Sequence, residues 1–557
     1  MSSKLGLCAL IIFAAATAAT IAPARAQHPT KKPEGDGALV PLIENLGDLE
    51  HRVSTADPLA QQYFNQGLRL IFAFNHDEAI RAFRAAAVID PNCAMAHWGI
   101  ALANGPNYNL EAEKERNEKA YKALREAQRL AAMASPAEAA YIAAVSKRYA
   151  ESPDADRKAL DRAYADAMRE LVRKYPDDLD AAVLFAESLM NLRPWDLWTV
   201  DGRPQPGTRE IVATLEGVLK RNERHPGANH FYIHAVEAST SPQRGLASAN
   251  RLGDLMPGAG HLVHMPSHIF FRLGRYRQAV ESNKRAVEVD RKYIEKYKPE
   301  GVYVMMYYPH NIHFLWSALC FEGRSAEAIA AADQVVGALS NEMVQEMPML
   351  ESFLPTRTYT LLLFNKWDDV LREKQPLPEF TFATGMWHYA QGLAQAGLGH
   401  ASEAETHQAR LAEIVAATPE DKLLMRHSAL RLLRIAQSEL AARLDAAAGR
   451  TDAAIAGLHN AVLLQDGLQY DEPPPWYFST RQALAAQLLA ANRPVDAETV
   501  YREDLRRNPE NGRSLHGLTL ALTALKRTDD AAAIRKRFEK AWARADFSLE
   551  KSPADGR

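Results

Sequence analysis

Two pairs of histidines recur at a fixed offset: His230 and His234, then His264 and His268. His261 joins the second pair at i,i+3 spacing, and His310 and His313 form another i,i+3 pair downstream. Steps of three and four put side chains on one helix face, a turn apart. The offset of 34 residues is the length of one helix–turn–helix unit in a stacked solenoid, so neighbouring helices would present the same face. Eight of the chain's 18 histidines lie within residues 225–313, well above an even share. Imidazole is the commonest protein ligand for Zn, Cu, Fe and Ni, and an i,i+4 pair with more from the next helix assembles three or four donors. The spacing therefore points to a transition metal ion (Cu, Fe or Zn) held by His230, His234, Glu237, His261, His264, His268, His310 and His313. Glu237 would be either a ligand or the acceptor that orients a histidine. Glu187 is a more distant candidate, His225 caps or decorates a loop, and Met265, Met305, Met306 and Cys320 read as packing. Metal-ligating imidazoles must be neutral, so binding should weaken as pH falls through their ordinary value near ~6.5.

The chain contains no G-x-x-x-x-G-K-[ST], G-x-S-x-G, H-E-x-x-H, C-x-x-C or C-x-x-C-H motif. Nucleotide chemistry and covalent c-type haem are therefore not expected. Metal-dependent hydrolysis or oxidation fits the cluster. So does a non-enzymatic scaffold that takes a protein or peptide partner, since imidazole donates, accepts and stacks.

Residues 1–26 read as an export signal: Lys4, an apolar stretch from Leu5 to Ala19, and Ala24-Arg25-Ala26 before Gln27. The stretch is shorter than the ~20 residues a spanning helix needs, and no later segment is apolar and long enough. The expectation is a periplasmic or secreted protein beginning near Gln27, with no membrane span after signal removal. Loss of Lys4 and Arg25 takes the formal charge from −3 to −5, which gives no basic footprint for nucleic acid. Cys93 and Cys320 remain, far apart in sequence, and read as two buried thiols.

The elements that would position the histidines are helical hairpins. From Ala60 to Cys93, the residues Tyr63, Gly67, Ala79, Phe83, Ala86 and Pro91 keep a spacing with a physical reason at each place. Gly67 and Ala79 let two helices approach, Phe83 fills the space between units, and Pro91 follows a helix it cannot continue. Pro176, Arg275-Tyr276 with Ala279 and Ala286, Gly323-Arg324 with Ala328, Gly392 with Ala404, and Ala497 with Pro509 mark further units. No period-2 pattern of any length appears, so the chain is expected to be all-α. The divisions are 27–55 as an N-terminal extension, 56–292 as a first repeat array, 293–306 as an irregular connector, 307–545 as a second array, and 546–557 as a tail. Residues 104–109, 193–207 and Asp471-Glu472-Pro473-Pro474-Pro475-Trp476 read as rigid joints.

This spacing resembles the tetratricopeptide-repeat superfamily over residues 56–545. Phe74-Asn75-His76-Asp77-Glu78-Ala79, Asp90-Pro91-Asn92-Cys93-Ala94-Met95-Ala96-His97-Trp98-Gly99 and the Asp471–Trp476 phrase look like an exported bacterial subgroup. The resemblance implies a right-handed α-solenoid and a tendency to bind partners, but no activity. It also implies that positions 2, 5, 9 and 12 of each first helix line a concave groove. Counted back from Gly245, Ala279 and Ala328, these are the positions of all seven histidines from His230 to His313 named as ligands, and of Glu237.

Overall fold

The computed structural model describes residues 40–549 except 112 and 153; the expected export signal at 1–26, the start of the expected N-terminal extension and the end of the expected tail lie outside the described residues. Successive helices pack as antiparallel hairpins, beginning with Pro58–Phe72 on His76–Ile89 and ending with Gly512–Ala524 on Thr528–Ala541. The stack is all-α, a run of helical hairpins. The first unit shows why. A Cβ added at Gly67 or at Gly99 would meet the Phe83 ring within 2.6 Å, so one buried phenyl fills the gap between two units only because both glycines lack side chains. The helix before Pro91 ends at Ile89.

The same grammar holds along the chain. The helix before Pro176 spans Arg157–Lys174, and Ala279 and Ala286 lie buried on Tyr276–Tyr297. Ala328 begins to pack in the first turn of Ser325–Gly337. One strand pair departs from the all-α expectation: Leu423–Leu424 pairs antiparallel with His427–Ser428. It is a two-residue clip across a turn, too short to show as alternation in the sequence.

Two further departures shape the site. The helix expected to carry His261, His264 and His268 is broken into Gly260–His264 and Pro266–Arg272, because Pro266 has no N–H to donate across the junction. At 293–306, expected as irregular, the Tyr276–Tyr297 helix runs on to Tyr297. A π-helical turn, Tyr303–Tyr307, then leads directly into Tyr308–Phe321. Five-residue turns of this kind occur often at functional sites.

Residues 40–549 lie in one compact unit. Contacts between sequence-distant segments fasten the stack to itself. Tyr276 Oη–H donates to the Pro509 carbonyl at 2.9 Å, and Gln469 Nε2 donates to the Trp195 carbonyl at 3.0 Å. Arg426 covers the Trp195 ring at 4.3 Å. Among the described residues, no helix is long and apolar enough to cross a membrane. Cys93 and Cys320 are both buried and unbridged.

Candidate metal centre

Three segments deliver the histidines: Pro226–Glu237, the split pair Gly260–His264 and Pro266–Arg272, and the first turn of Tyr308–Phe321. His230, His234, Glu237, His261, His264 and His268 are buried, and His310 and His313 are half-buried. The face expected to line an open groove is thus an interior. It is closed by Phe74, by Tyr108 and Trp195 against His234, and by Tyr470, which reaches Glu237.

The donors gather into two histidine trios, His230–His234–His261 and His264–His268–His310, and a third group, His234–Glu237–His268, that bridges them. In the first, the Nε2 atoms of His230 and His261 are 3.2 Å apart. In the second, His264 Nε2 lies 2.8 Å from His268 Nε2 and 3.1 Å from His310 Nε2. His313 joins neither trio. Its ring stacks on Trp316, with centroids 4.9 Å apart and planes 9° apart, and it lines the adjoining cavity.

Glu237 is placed where it can orient two of the rings. Its two oxygens face His234 Nδ1 at 2.8 Å and His268 Nδ1 at 2.5 Å. Burial would raise its pKa, but His268 and His234 outweigh burial and hold it down at about 2. His230 Nδ1–H donates to the Phe72 carbonyl at 2.7 Å, and His264 Nδ1–H to Asn283 Oδ1 at 2.6 Å. Asn283 is itself fixed by donating Nδ2–H to the Ala279 carbonyl. Asn283 was invisible to sequence reasoning because it belongs to the second helix of its unit; its buried amide is the only signal it gives.

Glu187 does not reach the centre; it accepts from Asn191 Nδ2 and lies near Arg148. His225 is an N-cap, its Nδ1 accepting from the Ala228 N–H and its Nε2 paired with Asp180.

Burial lowers the pKa of His230, His261 and His264 well below the ordinary range, with neighbouring imidazoles adding to it. Burial likewise takes His310 to about 3 and His313 to about 4. These rings are neutral without a metal, so proton competition for them sets in well below the expected ~6.5. His268 differs. Burial would lower it too, yet Glu237 prevails and raises it.

Three apolar residues hold left-handed backbone: Phe74 (φ 56°), Trp195 (φ 60°) and Met425 (φ 53°). All three face this region. Phe74 packs its ring 4.5 Å from His230 and 5.5 Å from His261, while Trp195 and Met425 line the cavity. Elsewhere the matching hairpin position holds Gly274, Gly323, Asn365, Gly399, Gly449 or Asn492, which tolerate such a φ, and in the last hairpin an exposed Lys526 (φ 59°). At Phe74 the surrounding rings hold the conformation in place.

The cavity measures about 160 Å³, with His234, His261, His268 and His310 in its wall. The Asp471–Pro475 segment, expected as a rigid joint, forms another wall, and Asn109 and Trp195 from the other joints line it too. Glu472 is buried, accepts from Tyr470 Oη, and is pushed up to about 7 chiefly by burial. No sequence period marks these segments, because loops are placed by tertiary packing.

No protein-family profile and no curated protein sequence matches the chain. Among solved structures, a human IFIT1 dimer with m7Gppp-AAAA aligns over 88% of this chain and 91% of its own, at 12% identity and a TM-score of 0.32. The APC/C hetero-tetramer Cut9-Hcn1 aligns over 83% and 76%, at 14% identity and 0.32. The P58(IPK) TPR domain aligns over 84% and 99%, at 11% identity and 0.22.

Proposed function

We propose that this chain is an exported, periplasmic or secreted transition-metal protein whose buried histidine centre opens onto a cavity for a small ligand. The supporting observation is that bare imidazole nitrogens converge where bulk water is excluded. Four Nδ1 atoms face acceptors, and His234 Nε2 has no hydrogen-bond partner among the described residues. An orphaned buried acceptor costs about 1–3 kcal/mol, which a coordinated cation would offset. The imidazole-rich donor set suits Zn, Cu or Fe.

Such an ion supplies Lewis acidity, or one-electron chemistry in the case of Cu or Fe. The chain's own residues do the rest. Glu237, Asn283 and the Phe72 carbonyl fix ring tautomers, so that Nε2 is the free atom on each ring they hold. Phe74, Trp195 and Tyr307 keep water from the donors. His313, neutral and on the cavity wall, can hydrogen-bond a bound ligand. The cavity is of the size that holds a single benzene-like ring, roughly 150 Å³, and is far too small for a folded peptide. Metal-dependent hydrolysis or oxidation of a small molecule therefore suits the site better than peptide recognition.

Elemental analysis of protein purified from its native compartment tests the reading, with N-terminal sequencing expected to begin near Gln27. Protein that contains no transition metal and retains none after loading with Cu²⁺, Zn²⁺ or Fe²⁺ would refute it.

A further inference from the structure

The histidines divide into two equivalent sets. Each takes an i,i+4 pair from one repeat and a single ring from the next: His230 and His234 with His261, then His264 and His268 with His310. The second set is the first moved along the solenoid by one repeat.

Proton accounting shows what each set lacks. A neutral imidazole carries one N–H, and a ring that donates from Nδ1 leaves Nε2 as a bare lone pair. His230, His234, His264 and His268 all spend Nδ1–H on an acceptor. The Nε2 atoms of His264 and His268 then face each other at 2.8 Å with no hydrogen between them. His310 Nε2 points at the same His264 atom. One added proton, on His268, would settle one of these contacts and leave the other. In the first set, His234 Nε2 and His261 Nδ1 are buried without partners among the described residues. Ligand nitrogens around a tetrahedral ion with bonds of 2.0–2.1 Å lie on the order of 3.3 Å apart. The observed 2.8–3.2 Å separations need only small adjustments to reach that.

Each oxygen of Glu237 faces an Nδ1 atom in place of the Nε2 atoms of either set. Those atoms belong one to each set. The carboxylate therefore positions His234 and His268 together, and their rings lie 5.6 Å apart. His261 and His264 bring the sets together a second time at 5.7 Å.

We infer that the chain holds two transition ions, one in each three-histidine set, with Glu237 as the positioning carboxylate common to both. This rests on the metal-centre reading above. Its ligand class is first-row ions favoured by imidazole, with no thiolate donor.

The test is the number of ions bound by the full chain after titration with Cu²⁺ alone and with Zn²⁺ alone, measured by native mass spectrometry. Two ions per chain are expected in the wild type. His261→Gln and His310→Gln should each retain one, the double variant none, and Glu237→Gln should weaken both ions by 10–100-fold. With Cu²⁺, the wild-type paramagnetic resonance spectrum should be broadened by the neighbouring ion, and each single-site variant should give an isolated-copper spectrum. A wild type that binds one ion, lost in either variant, would overturn the two-ion assignment and leave the metal centre standing. A wild type that binds none would overturn both. The wild-type count decides by itself, so instability of a variant does not shelter the proposal.

Discussion

The tautomer of a buried ring is chosen by whatever its other nitrogen touches, and at this centre the choosing groups are an amide, a carbonyl and one carboxylate. Asn283 offers the cleanest test, since it contacts His264 without being a candidate ligand. Asn283→Leu leaves the His264 Nδ1–H without its acceptor and lets the ring flip or change tautomer. Metal affinity is expected to fall by 10–100-fold, the usual effect of losing an orienting partner. Helical content should be unchanged, because leucine nearly fills the space of asparagine. Affinity equal to wild type in a competition titration would show that Asn283 does not set the ring. The ligand pairs were legible because i,i+4 spacing survives folding as a single face. Asn283, the Phe72 carbonyl and the committed oxygens of Glu237 were not, because a contact between side chains on different elements leaves no trace in spacing. The same limit explains why the spacing points to a groove while the structure buries these residues. Periodicity identified which face carries the histidines, but the chain that covers that face comes from joints with no period.

Among the elements, the hairpin turn after Pro58–Phe72 joins a fold rule to the site. Its left-handed position is one where most other turns carry glycine or asparagine, yet Phe74 occupies it and turns its ring onto His230, His234 and His261. Two energies compete. Left-handed backbone costs a non-glycine residue roughly 1–2 kcal/mol, while truncating a buried phenylalanine costs about 3–5 kcal/mol. Packing wins, so Phe74→Gly should destabilise the protein by about 2 kcal/mol despite relieving the turn. Asn492→Gly, at the equivalent exposed turn away from the centre, should change stability by only a few tenths of a kcal/mol. Urea denaturation of both variants checks this. A Phe74→Gly protein more stable than wild type would mean that the ring is not part of the packed centre. The π-helical turn at Tyr303–Tyr307 belongs to the same lesson: its sequence reads as a break in the repeat, and its structure aims Tyr307 at His261, 4.9 Å between centroids. Hairpin existence was readable from Gly67, Phe83 and Pro91. The exceptions that make the site were readable only as irregularities.

At the scale of the whole molecule, long-range contacts such as Tyr276–Pro509 and Arg426–Trp195 tie early repeats to late ones. Independent melting of single repeats, which nearest-neighbour stacking alone would allow, is therefore disfavoured. Stability then responds as a unit to charges buried anywhere in the stack, and the buried carboxyls set its pH dependence. Glu439 lies between helices, accepting from Tyr389 Oη at 2.7 Å, while its Oε1 has no partner among the described residues. Burial pushes its pKa up to about 8 against the Tyr389 hydrogen bond. Between its unfolded value of ~4.5 and about 8, the folded protein holds a proton that the unfolded chain releases, so stability must fall as pH rises through that window. Below the window the contribution is fully present, and above it the loss is complete, on the order of a few kcal/mol. Glu472, raised to about 7, and Asp290, also raised to about 7, act with the same sign over a narrower span. Glu439→Gln mimics the protonated acid at every pH and removes its share of the slope. The wild-type urea midpoint should therefore decline between pH 5 and pH 8.5, and the variant's midpoint should decline less, matching wild type at the acid end and exceeding it at the alkaline end. Parallel curves for the two proteins would mean that Glu439 is ionised in the folded state, and that its pairing with Tyr389 is a charged hydrogen bond instead of a neutral one.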